Sequence, residues 1–164
     1  MKATEKMKLS EHYTLGEMMK TSVKDVINMP PKEAIENLKH LCTTWLEDLR
    51  YFYNKQYVLE PGEEYEKSKN VEPILINSGY RSEAVNKAIG GVPGSNHLTG
   101  CAVDIRVYGI EQALRYAVIL MDIGDALEQD FDELLIERSP KGTYWLHFAV
   151  RPKDNRRKIR FIQT

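Results

Sequence analysis

The segment Cys101-Ala102-Val103-Asp104-Ile105-Arg106 sets an ionisable carboxylate in the middle of an apolar run. Such a run reads as a β-strand, whose alternation puts Ala102, Asp104 and Arg106 on one face and Cys101, Val103 and Ile105 on the other. Aspartate is disfavoured in strands, and burying it costs several kcal/mol unless it is paired or bound to a metal. The fold must therefore offer this strand an apolar layer on one side and polar chemistry on the other. Just upstream, Ser95-Asn96-His97-Leu98-Thr99-Gly100 brings a candidate partner, His97, onto the loop entering the strand, and Gly100 lets the backbone turn tightly between them.

Around this strand the spacing of apolar residues is helical early and strand-like late. Thr14 with Glu17 three residues on predicts a capping box that opens a short helix over Leu15 to Lys20. After Pro30-Pro31, the residues Ile35, Leu38, Cys42, Trp45, Leu49 and Phe52 form one apolar stripe of a long helix ending near Tyr53, with Cys42, Trp45 and Phe52 in the core. Leu59 to Asn70, charged and interrupted by Pro61-Gly62, is a loop. A strand over Pro73 to Asn77 leads into the turn Ser78-Gly79-Tyr80-Arg81-Ser82, a helix over Glu83 to Ile89 and a flexible connector, Gly90 to Gly94. Further strands are predicted at 101–107, 133–137 and 144–150, with a turn at Gly142, a helix at 111–121 and an edge strand at 158–162. Leading helices and trailing strands in this irregular mixture indicate α+β, not a doubly wound sheet. A chain of 164 residues is read as one domain, 1–164, with a well-buried core.

Charge excludes some functions. With 23 Lys+Arg against 24 Asp+Glu, no overall field argues for nucleic acid or an anionic membrane as partner. The basic residues from Arg151 to Arg160 are expected to form a solvated edge. No run of ~18 or more apolar residues predicts membrane insertion, and the N-terminal segment lacks the apolar core of a secretory signal, so a cytoplasmic location on synthesis is expected. Two cysteines, Cys42 and Cys101, make neither a disulfide framework nor a paired metal-binding motif.

A second histidine bears on the question of Asp104. In Trp145-Leu146-His147-Phe148-Ala149-Val150, strand alternation groups His147 with Trp145 and Ala149. Two histidines and one carboxylate form a known catalytic zinc set, which leaves the fourth tetrahedral position open to water. Read singly, either histidine is as well explained as a satisfied core residue.

Three motifs together resemble the M15 family of zinc D-alanyl-D-alanine carboxypeptidases: Ser78-Gly79-Tyr80-Arg81-Ser82, the Ser95-x-His97-x-x-Gly100-x-Ala102-x-Asp104 pattern, and Trp145-x-His147. Leu9 to Met18 and Asn86 to Gly91 are also similar to compact, phage- and Bacteroidetes-associated members. The resemblance implies a hedgehog/DD-peptidase-like fold with a small, mostly antiparallel sheet and flanking helices. It implies His97, Asp104 and His147 as Zn2+ ligands, Arg81 as the cation for a substrate carboxylate or developing oxyanion, and peptidoglycan peptides as substrate. Several relatives carry an acid three residues before the last histidine, where this chain has Tyr144, which cannot act as a base at neutral pH. Glu137, at the end of the preceding strand, is the expected catalytic base, with Glu133 and Asp132 as fallbacks. Asp132, near the strand start, is better suited to bonding turn amides. A non-catalytic zinc-bearing binding module on the same fold is the competing expectation. A cell-wall substrate would be reached by release at phage-type lysis.

Overall fold

The computed structural model describes residues 3–164. It is α+β, with five strands in the order β1-β2-β4-β3-β5 and helices on one face. The strands are β1 (Ile76–Ser78), β2 (Ala102–Arg106), β3 (Glu133–Arg138), β4 (Tyr144–Ala149) and β5 (Lys158–Gln163). All neighbours run antiparallel except β3 and β5, which are parallel. The hairpin joining β3 and β4 turns at Gly142, whose φ of 85° suits glycine, and its amide donates to Ser139 O.

The helices are α1 (Leu15–Met18), α2 (Lys32–His40), α3 (Glu47–Tyr53), α4 (Glu83–Ala88) and α5 (Ile110–Leu127). The predicted capping box caps α1: Glu17 N donates to Thr14 Oγ1, and Thr14 N to the Glu17 carboxylate. Its helix is a single turn, shorter than expected. Helices α2 and α3 form one rod, because the connecting turn Leu41–Leu46 is π-helical and a second π turn, Asn54–Val58, carries the rod beyond Tyr53. The wider turn explains a departure from the predicted stripe: Leu41, Cys42, Trp45 and Leu46 are all buried, whereas Phe52 is 40 % exposed and Tyr53 takes its place in the core. Helix α5 also outruns its expected 111–121, since Ile123 and Gly124 continue its buried face.

On the helix side of the sheet, Val103, Ile105, Leu134, Leu146 and Phe148 pack with the rod and α5. Trp45 is the centre, its ring 5.3 Å from that of Phe148 and 6.5 Å, edge-on, from that of Phe131. The opposite face carries the polar set. Register pairs Asp104 with His147 and Arg106 with Trp145 across β2 and β4, and Leu135 with His147 and Glu137 with Trp145 across β3 and β4. The sheet has one dry face and one reactive face, as the alternation around Asp104 requires.

The C-terminal basic segment is exposed or half-buried and ends in the expected edge strand, but two of its arginines are more than solvated. Although β5 is an edge strand, Arg151 and Arg156 fold back onto the fully buried carboxylate of Asp132 at 3.0 and 2.8 Å. A buried carboxylate needs such partners, which the linear sequence does not reveal.

Gly100 ends the 3-10 turn Asn96–Thr99 with φ 72°, and a Cβ there would stand 2.4 Å from Ala34 O. Gly100→Ala is expected to destabilise the fold by about 1–3 kcal/mol, read as a lower urea midpoint at unchanged m-value.

Candidate metal centre and its cleft

Each member of the polar set is held by a different element. The turn after β1 runs against α1: Tyr80 N donates to Met18 O at 2.6 Å, and a Cβ on Gly79 would lie 2.5 Å from that same oxygen. Glycine permits this approach, and the turn then aims Gly79 O at His97, whose Nδ1 lies 2.6 Å away. A carbonyl only accepts, so Nδ1 carries the proton and Nε2 presents its lone pair. That Nε2 is buried, makes no hydrogen bond, and faces Asp104 Oδ1 at 3.3 Å.

Asp104 Oδ1 is shared, lying 3.1 Å from His147 Nδ1 as well. Its Oδ2 accepts from Arg81 Nη2 at 2.6 Å, while Arg81 Nε donates to Ser78 Oγ at 2.9 Å. His97, Asp104 and His147 are all buried, and their ligand atoms lie within 4.8 Å of one another, a group that could hold a metal ion. Tetrahedral ligand bonds of ~2.0–2.1 Å separate neighbouring donors by about 3.3 Å, close to the two separations found here. An orphaned imidazole nitrogen and a carboxylate oxygen aimed at one point fit a divalent cation of the zinc type.

Burial works to raise the Asp104 pKa, but the two histidines beside it outweigh that and hold the carboxyl well below its usual range. Burial works to lower that of His147, yet its bonds to Asp104 and Glu133 raise it to about 9. In the metal-free chain, then, His147 holds a proton that a metal ligand must give up, so metal uptake releases protons.

The cleft above this group has a volume of about 900 Å³, and its lining includes Arg81, Glu133, Glu137, Trp145, Arg156 and Lys158. Glu137 Oε2 accepts from Trp145 Nε1 at 2.8 Å, and Oε1 meets no donor among the described residues. Burial, with the nearby Asp104 charge, raises its pKa. Glu133 is more heavily engaged: Oε1 lies 3.3 Å from His147 Nε2 and accepts from Asn96 Nδ2 at 2.8 Å, and Oε2 faces Arg156 at 3.6 Å. Its pKa is lowered, chiefly by the bond to His147. Tyr144 faces away from the cleft, packed at the core with the Arg138 guanidinium 5.7 Å from its ring.

Asp132 lies outside the cleft and serves as an anchor. It accepts the Arg156 amide at 3.1 Å, as expected of a carboxylate bonding turn amides, and also the Arg156 side chain and Asn96 Nδ2 at 2.8 Å. Asn96 therefore bridges Asp132 and Glu133. Sequence reasoning missed this bridge, the Glu133–His147 contact and the Gly79 carbonyl, because each joins residues distant in the chain. Asn28 was missed too: its Nδ2 donates to Met19 O and Tyr80 O, and its Oδ1 accepts from Ser82 N, bracing the turn around Arg81.

Residues 12–125 match the protein-family model described as Peptidase M15. That stretch contains Arg81, His97 and Asp104 and stops short of Glu133, Glu137 and His147. No curated protein matches the chain.

The Asp132 anchor sets a pH dependence. Burial opposes ionisation, but the Arg156 and Asn96 hydrogen bonds prevail and lower the pKa to about 2. A depressed folded-state pKa stabilises above the unfolded value of about 3.9 and ceases to do so as pH falls through about 2. Urea titrations of metal-free protein should show wild type losing about 2 kcal/mol more than Asp132→Asn across that window.

Proposed function

Since the chain belongs to the peptidase M15 family, we propose that it is a zinc-dependent peptidase hydrolysing peptidoglycan stem peptides, as a D-Ala-D-Ala carboxypeptidase or a related endopeptidase. The observation that carries this reading is the buried His97–Asp104–His147 group at the cleft, with one unengaged carboxylate oxygen, Glu137 Oε1, on the wall. His97 Nε2, Asp104 Oδ1 and His147 Nδ1 are the atoms that would hold the ion. Zinc bound there supplies a polarised scissile carbonyl and a water acidified to near neutrality.

The chain's own side chains do the rest. Glu137 accepts the proton of the attacking water at Oε1 and passes it to the leaving amine, while Trp145 fixes Oε2. Its raised pKa makes it a stronger base than a solvated glutamate. Asp132 and Glu133 are poorer bases, one buried under arginines, the other bonded to His147 and Asn96. Arg81 is tied to Asp104 through Nη2 and to Ser78 through Nε, while Nη1 has no acceptor among the described residues. That group holds the terminal carboxylate of a stem peptide or the negative charge developing on the scissile oxygen. No helix among the described residues is long and apolar enough to cross a membrane. Release at phage-type lysis is the proposed route to the wall.

Zinc-loaded protein incubated with purified muropeptides should release D-Ala or cross-link fragments detectable by mass spectrometry, and which of the two appears separates carboxypeptidase from endopeptidase. Zinc uptake without cleavage would overturn the peptidase reading in favour of a zinc-bearing binding module. Glu137→Gln should keep its zinc and lose about 10²-fold or more in kcat. Because the base works ionised, wild-type kcat/KM should fall as pH decreases through the Glu137 pKa, an acid limb that Glu137→Gln should lack.

A further inference from the structure

We propose that Glu133 is a positioning residue of the metal centre: it holds the Nε2–H of His147 and so commits that imidazole to bind metal through Nδ1. The inference rests on the metal reading above and adds to it the outer partner of one ligand.

His147 stands between two carboxylates, with Nδ1 3.1 Å from Asp104 Oδ1 and Nε2 3.3 Å from Glu133 Oε1. A carboxylate only accepts, and a neutral imidazole has one donor nitrogen and one acceptor. With the ring doubly protonated, as in the metal-free chain, both contacts are hydrogen bonds; a ring that binds metal keeps one N–H, so one contact must then hold the cation and the other the remaining proton. On the Asp104 side, His97 Nε2 brings a third lone pair to within 3.3 Å of the same Oδ1, so the cation belongs there. Glu133 then takes the ring proton. Its position is itself determined: Asn96 Nδ2 donates to Glu133 Oε1 and to Asp132 Oδ2, each at 2.8 Å, and Arg156 bridges Asp132 and Glu133 from solvent.

Both histidines thereby have their outward nitrogen assigned, His97 by the Gly79 carbonyl and His147 by Glu133. Outer partners of this kind fix the tautomer and ring orientation of metal-binding histidines. The assignment gives the adjacent acids of β3's cleft face separate tasks: Glu133 aligns a ligand, and Glu137 is left free.

The test has two arms. Chelator competition should show Glu133→Ala binding zinc about 10–100-fold more weakly than wild type, with Glu133→Gln, which keeps an acceptor oxygen, restoring most of the affinity. In unmutated zinc-loaded protein, imidazole ¹⁵N NMR should find the His147 proton on Nε2 and the metal on Nδ1, a signature that a merely structural glutamate would not set. Wild-type affinity in Glu133→Ala, or zinc on Nε2, overturns this inference alone. A wild-type chain that takes up no zinc overturns it together with the metal reading.

Discussion

The structure turns on a single oxygen. Asp104 Oδ1 faces nitrogens of two histidines at 3.1 and 3.3 Å, from the middle of a sheet whose other face is the hydrophobic core. Placing a carboxylate there is unfavourable unless its surroundings compensate it, and three side chains converge on it: Arg81 from the turn after β1, His97 from the turn before β2, and His147 from the neighbouring strand. Much of the remaining architecture can be understood as a means of bringing those three to one point.

Two close backbone approaches position the first pair. Gly79 rests on the Met18 carbonyl and Gly100 on that of Ala34, so the turns bearing Arg81 and His97 are each pressed onto a helix with no room for a side chain. On the far side Asp132 gathers Asn96, Arg151 and Arg156, tying the His97 turn to β3 and to the C-terminal segment. The centre is thus braced by contacts of low sequence locality, and its precision depends on the whole fold being closed.

That dependence explains what was legible in the linear chain. The strand around Asp104 was readable because alternation is a local rule, as were the capping box at Thr14 and the buried Trp45. His97 and His147 could be singled out because each is a polar residue beside an apolar run, and the sequence motifs tied them to a family that the matched stretch supports. The π turns are not legible, since no propensity marks the extra residue per turn, and a regular 3.6-residue stripe places Phe52 in the core in consequence. The ion pairs of the arginines near the C-terminus are hidden for a related reason: their partner, Asp132, lies about twenty residues away and becomes a neighbour of Arg151 through the pairing of β3 with β4 and of Arg156 through that of β3 with β5. The contact between Glu133 and His147 is a matter of sheet register, which the sequence pattern alone does not specify.

The strand order β1-β2-β4-β3-β5 has a temporal consequence. Strand β4 is inserted between two strands that precede it in the chain, so β2 and β3 have no shared edge until it arrives. During synthesis, Arg81, His97 and Asp104 emerge well before His147 does. The nascent polypeptide accordingly lacks one corner of the candidate metal group until β4 is made and takes its place between β2 and β3.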